Sequence, residues 1–204
     1  MVKVIAIANQ KGGVAKTTTT HNLGVAMAAA GKRVLLIDLD SQASLTISVG
    51  LEPLEVERTI VDVLRKDGTP LMECVQQLSD RLHIVTSIID LAPMEMELLS
   101  RASREKILDR ALREARGQYD YILIDCAPVG MVIDAAIIAK SSDAAILVIE
   151  SGEIKRKLAV EAREKLDAAG CPILGAVLNK VERKRGGYYR KYYEKYESDV
   201  NSRQ

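Results

Sequence analysis

The stretch Asn9-Gln10-Lys11-Gly12-Gly13-Val14-Ala15-Lys16-Thr17-Thr18 decides the fold. Before it runs an aliphatic segment, Val2–Ala8, that reads as a buried strand. After it comes an alanine-rich segment, Thr17–Ala30, that reads as a helix closed by Gly31. A strand, a glycine-containing loop and a helix N-terminus together form an anion site, because backbone N–H groups and the helix dipole converge on one point. Working outward, five more Val/Ile-rich runs read as strands: Arg33–Leu39, Leu82–Thr86, Tyr121–Asp125, Ala144–Ile149 and Ile173–Leu178. They are continuously apolar rather than alternating, which requires cover on both sheet faces. Helical periodicity occupies Glu95–Arg116 and Ile154–Ala169, the latter followed by Gly170. Residues 51–80 are less regular, with a turn at Asp67-Gly68-Thr69-Pro70. The alternation specifies an α/β fold with a mostly parallel sheet and helices on both faces.

The 204 residues carry 29 Lys+Arg and 28 Asp+Glu, so a globally basic nucleic-acid coat and an acidic disordered chain are both excluded. Phe and Trp are absent, which makes the core aliphatic. Cys74, Cys126 and Cys171 form no C-x-x-C pair and suit a reducing compartment. The first strand begins at once, and no run reads as a signal peptide or a membrane span; a cytoplasmic protein is the expectation. Residues 1–180 read as one domain. Residues 181–204 read as a basic, Tyr-rich tail, containing five of the seven tyrosines.

In a loop of this kind Lys16 would reach β- and γ-phosphates, and the Thr17 hydroxyl would ligand Mg²⁺. Lys11-Gly12-Gly13-x-x-Lys16-Thr17-Thr18 resembles the deviant Walker A loop of the ParA/MinD group of P-loop NTPases. Leu36-Ile37-Asp38-Leu39-Asp40-Ser41-Gln42 resembles that group's second motif, and Tyr121-Ile122-Leu123-Ile124-Asp125 its Walker B strand. The likeness to Soj-like partitioning proteins extends to about residue 128 and includes Leu45-Thr46-Ile47-Ser48 and Met94–Arg101. It implies an ATP/ADP and Mg²⁺ site in which Gly12, Gly13, Val14, Ala15, Lys16, Thr17 and Thr18 cradle the nucleotide and Asn179 contacts adenine. Thr17, Asp38 and Asp125 would hold or assist the metal. Asp40 would position or activate water, and Lys11 would cross to the nucleotide of a second subunit. Asp38 and Asp40 are expected on opposite faces of the strand end. The implied function is an ATPase forming a homodimer on ATP binding and acting in partitioning or positioning, with non-specific DNA or a ParB-like activator as partner.

Two departures stand out. Ala15 occupies the place of the family's glycine before the loop lysine, where a Cβ disfavours the needed dihedrals, and weakened nucleotide binding is expected. Ala127 replaces the first proline of a D-x-P-P segment. The second half, with Asp125-Cys126-Ala127-Pro128-Val129 and Gly175-Ala176-Val177-Leu178-Asn179-Lys180, resembles bacterial tyrosine kinases of capsule synthesis. That likeness implies an alternative. Tyr188, Tyr189, Tyr192, Tyr193 and Tyr196 lie on one helical stripe and would be phosphoacceptors, with a membrane-bound activator as partner. The tail lacks Leu, Ile and Phe, so no direct membrane insertion is expected. A non-catalytic nucleotide sensor is a third reading, suggested by Ala15. Candidate phosphate-backbone contacts are Lys155, Arg156, Lys157, Lys180, Arg183, Lys184 and Arg185.

Overall fold

The computed structural model describes residues 2–9, 11–128, 135–152 and 156–181. A seven-stranded sheet runs in the order β3-β4-β2-β5-β1-β6-β7. Its strands are β1 (Lys3–Ala8), β2 (Val34–Leu39), β3 (Val75–Ser79), β4 (Leu82–Val85), β5 (Tyr121–Cys126), β6 (Ala144–Glu150) and β7 (Ile173–Asn179). All pairings are parallel except β3 with β4. β3 is an addition to the six expected strands. It is a short edge strand whose Gln76, Gln77 and Ser79 dilute the aliphatic signal.

The period of two along each strand sorts the core into two layers. Val4, Ala6, Leu35, Ile37, Ile122 and Ile124 pack beneath α3 (Ile60–Leu64), α4 (Leu91–Ser100), α5 (Ile107–Ala115), α6 (Ala135–Ser141) and α7 (Arg156–Ala168). Ile5, Ile7, Val34, Leu36 and Leu123 face α1 (Lys16–Ala29) and α2 (Ser44–Ser48). Both faces are covered, as continuous apolar strands require.

α1 buries a stripe of small residues and polar ends, Lys16, Thr20 and Gly24, spaced four apart. A Cβ on Gly24 would stand 2.7 Å from Leu36 Cδ2, so glycine lets this helix lie close on the sheet. The helix stops in a Schellman arrangement. Gly31, at φ 82°, donates to the Ala28 carbonyl at 2.9 Å, and Lys32 donates to Met27 at 3.0 Å. α7 ends the same way through Gly170 and Cys171.

The single helix expected across 95–116 is two helices. Arg101 takes extended backbone and Ser103 sits at φ 57°, which ends α4 before a 3₁₀ turn leads into α5. The break is held by tertiary contact: Arg101 Nη1 donates to the Leu64 carbonyl at 2.7 Å. Among the described residues β7 forms the other sheet edge, and Leu174–Leu178 are exposed.

Candidate nucleotide site

The parallel strands bring their carboxyl ends to one rim, where ligands of open α/β sheets bind. β1 is central, flanked by β5 and β6, so the loop after it lands on that rim beside β5. Asp38 of β2 and Asp125 of β5 are register partners there, and Ile7 of β1 is the other neighbour of Asp125.

Within the loop, Gly13 takes φ 74° and Ala15 takes φ 79°, ψ 33°. The left-handed conformation at position 15 is the one a glycine adopts without penalty and an alanine resists. α1 then starts with no side-chain cap and no acidic residue in its first turn. Its leading N–H groups are left for an anion. Lys16 is buried, 6% exposed, and its ammonium donates back to the Lys11 carbonyl at 3.3 Å. Asn179, at the end of β7, donates to the Val14 carbonyl at 3.3 Å. The last strand therefore braces the first loop. Lys11, Gly12, Gly13 and Thr18 are exposed.

Below the loop, Thr17 Oγ1 donates to Asp125 Oδ2 at 2.6 Å, and Thr20 Oγ1 shares its proton between the Lys16 carbonyl at 3.1 Å and Asp125 Oδ1 at 3.3 Å. Burial pushes the Asp125 carboxyl up to about 7, opposed by the Thr17 hydrogen bond and reinforced by the charge of Asp38. A carboxylate so placed gains most from a cation brought beside it. Because Thr17 spends its proton on Asp125, its lone pairs remain to ligate a metal. Mg²⁺ commonly takes one or two protein oxygens and completes its shell with phosphate and water. The Thr17/Asp125 donor set fits that habit. Among the described residues no group of three His, Cys, Asp or Glu side chains is arranged to hold a metal unaided.

Asp38 is fully buried and its carboxyl is raised to about 6 by that burial. Its Oδ2 accepts from Thr46 N and Thr46 Oγ1, both at 2.8 Å, and Asp40 N approaches Oδ1 at 3.3 Å. Thr46 Oγ1 in turn accepts from Ser87 N at 3.0 Å. This chain ties β2 to α2 and to the segment after β4. Asp40 lies just past the strand, half-buried, accepting from Gln42 N at 3.0 Å. The expectation of opposite faces for Asp38 and Asp40 fails on parity. Residues two apart on a strand share a face, and β2 ends at Leu39 in any case.

Three further polar residues belong to this rim. Thr20 and Thr46 complete the contacts of the two aspartates. Glu95 on α4 is 3% exposed, and neither carboxylate oxygen has a hydrogen-bond partner. Burial raises its carboxyl to about 7, and the charge of Asp40 adds to the effect. Thr20 was findable as the residue one helical turn beyond Lys16. Glu95 was findable as a carboxylate inside the apolar series Leu91, Met94, Leu98. Cys126 is fully buried, its thiol pushed well up by burial and then by Asp125, and it is chemically quiet.

The phosphoacceptor candidates Tyr188, Tyr189, Tyr192, Tyr193 and Tyr196 lie outside the described residues, as do Lys155, Arg183, Lys184 and Arg185. Of the remaining basic candidates, Lys157 pairs with Glu161 at 3.9 Å and Lys180 with Glu150 at 2.6 Å.

A family described as an AAA domain matches residues 2–159, more than half of the chain. The chain belongs to this family, that of the ParA/MinD-type P-loop ATPases. Soj, the sporulation initiation inhibitor protein of Bacillus subtilis, is 43% identical over 143 residues, covering 70% of this chain and 56% of Soj. Cobyrinic acid a,c-diamide synthase from Mycobacterium smegmatis, solved with an ATP analogue and magnesium, superposes with a TM-score of 0.81 at 29% identity. That match covers 100% of this chain and 83% of the synthase. The septum site-determining protein MinD from Pyrococcus horikoshii, solved with Mg-ADP, gives a TM-score of 0.74 at 30% identity over 91% of this chain and 73% of MinD. The chain spans about half the length of the curated relatives it matches. No helix among the described residues of this ParA/MinD-type chain is long and apolar enough to cross a membrane.

Proposed function

We propose that the chain binds and hydrolyses Mg-ATP and that its ATP-bound form is a homodimer acting in partitioning or intracellular positioning. The observation that carries this reading is the coupling of Thr17, on the loop helix, to Asp125, at the end of β5, across 2.6 Å beneath a buried Lys16. Phosphates would replace the Lys11 carbonyl as the partner of Lys16 and would meet the leading N–H groups of α1. Mg²⁺, held by Thr17 with Asp125 behind it, would neutralise charge on the β- and γ-phosphate oxygens. Asp40, half-buried at the mouth, orients the attacking water. Asp38 assists the metal region at one remove and anchors α2 through Thr46. Asn179, already braced on the loop, offers its amide to the adenine. Lys11, exposed on the loop, reaches the nucleotide of the second subunit.

Ala15 weakens nucleotide binding, because a residue with a Cβ resists the left-handed backbone that the loop takes there. DNA backbone or a ParB-like activator would raise turnover. The test is ATP hydrolysis with and without DNA, run beside sedimentation of an Asp40→Ala form. A dimer with ATP and a monomer without it supports the reading; a monomer under every condition removes it. The competing autokinase reading rests on the tyrosine cluster of the sequence. Radiolabel transferred from ATP to those tyrosines, and lost in Lys16→Ala, would put it first.

A further inference from the structure

A cavity of about 580 Å³ opens on the outer side of α3 and α5 and shares no residue with the phosphate loop. Five cationic side chains line it, Arg65, Lys66, Arg101, Arg110 and Arg113, against one carboxylate, Glu114. In a chain of net charge +1 this is a strong local concentration of one sign. A concave wall focuses such a field. Two of the five are already fixed: Arg65 pairs with Asp62 at 3.2 Å, and Arg101 is held by the Leu64 carbonyl and by Glu97. Lys66, Arg110 and Arg113 are exposed and take part in no ion pair among the described residues. Arg110 and Arg113 stand about one turn apart on α5, spaced to engage neighbouring anionic groups.

The opposite wall is a built one. Thr69 N donates to the Asp62 carbonyl at 3.0 Å, and a Cβ on Gly68 would fall 2.3 Å from the Val63 carbonyl oxygen, so the loop is folded hard against α3. Val63, Leu71, Ile107 and Ala111 supply apolar lining. The volume falls in the range of small-molecule sites, and the cationic lining suits an anionic one. Asp67 and Glu73 on one segment and Glu105, Asp109 and Glu114 on the other are interspersed among the cations, so the positive charge is broken by carboxylates along the chain. A long polyanion would need the positive stripe to continue; a compact one does not.

We infer that this cavity is a second anion site, taking a compact phosphorylated small molecule of about nucleotide size. Guanidinium groups favour phosphate through paired N–H donors in a fixed plane. The site stands independently of the ATPase reading. The test is calorimetric titration of inorganic tripolyphosphate into the full chain carrying Lys16→Ala, which silences the phosphate loop. One salt-sensitive site is expected to persist, and adding Arg110→Gln and Arg113→Gln should weaken it by about tenfold per guanidinium, with the melting temperature unchanged. No binding to Lys16→Ala, or binding that ignores both arginines, would overturn the inference. So would a short DNA duplex bound through Arg110 and Arg113 and not displaced by tripolyphosphate, since that outcome assigns the surface to nucleic acid.

Discussion

Ala15 sits in left-handed backbone, so its cost is borne by the folded chain itself. For an L-residue with a Cβ that cost is about 1–2 kcal/mol. Ala15→Gly is therefore expected to raise unfolding free energy by about 1 kcal/mol, read by denaturant titration, even after allowance for glycine's greater freedom when unfolded. Mg-ATP affinity by calorimetry is a separate readout, expected to tighten about tenfold if the Cβ also obstructs phosphate. A stability gain with unchanged affinity would confine the effect of Ala15 to the fold. Thr17→Val deletes the hydroxyl that serves both Asp125 and the metal. It should cost about 1–2 kcal/mol of stability and abolish the Mg²⁺ dependence of nucleotide binding. Nucleotide affinity that still rises with Mg²⁺ in that variant would exclude Thr17 as a ligand. The members of the Thr17/Asp125 pair lie 108 residues apart, yet both were legible because Thr17 opens the helix after the glycine loop and Asp125 closes an aliphatic strand, each in a recognisable motif. Thr46 was not legible as a partner of Asp38. A threonine in a short helix has no local mark; only the packing of α2 on β2 makes it a ligand for a carboxylate.

At the scale of elements, α2 and α4 each rest on one buried acid. Thr46→Val keeps the shape of the side chain but removes one donor from the buried Asp38 and the acceptor of Ser87 N. A loss of about 2 kcal/mol is expected, with α2 loosened first and visible as local protease sensitivity. Glu95 on α4 gives a pH signature. Its folded-state carboxyl sits near 7, above its ordinary 4.5. Between those two values the folded protein holds a proton that the unfolded chain has released, so stability declines as pH rises through the interval. Glu95→Gln should flatten that decline and be the more stable form at pH 8 by about 2 kcal/mol, as thermal melts across pH 5–8 would register. Identical pH profiles for both proteins would mean that Glu95 finds a partner when ionised. The division of the 95–116 segment into α4 and α5 was hidden from periodicity for a physical reason. Neither Gly nor Pro marks the break; Arg101 is pulled to the Leu64 carbonyl by a segment distant in sequence.

Across the molecule, the parallel core and its two helical layers were readable because each buried strand is uniformly aliphatic and each helix stop at Gly31 and Gly170 carries its own glycine. The edges were harder. β3 is half polar, and β7 reads like a core strand yet lies at the margin with Leu174, Val177 and Leu178 exposed. Aliphatic sequence reports strand character, not the number of neighbours the strand finds. That bare margin sets an order for the molecule's openings. β1, β2 and β5 are bonded on both sides and buried on both faces, whereas among the described residues β7 is bonded only to β6. Amide deuteration should therefore enter this half of the sheet from its margin: β7 first, β6 later, and β1 and β5 only with global unfolding. Because Asn179 on β7 holds the Val14 carbonyl, the earliest-opening strand is also a clamp on the phosphate loop. Nucleotide occupancy is then expected to slow exchange in β7, far along the chain from the residues that touch phosphate, and an unchanged β7 rate at saturating nucleotide would uncouple the two. The exchange rate of this margin is thus expected to report whether the loop is filled.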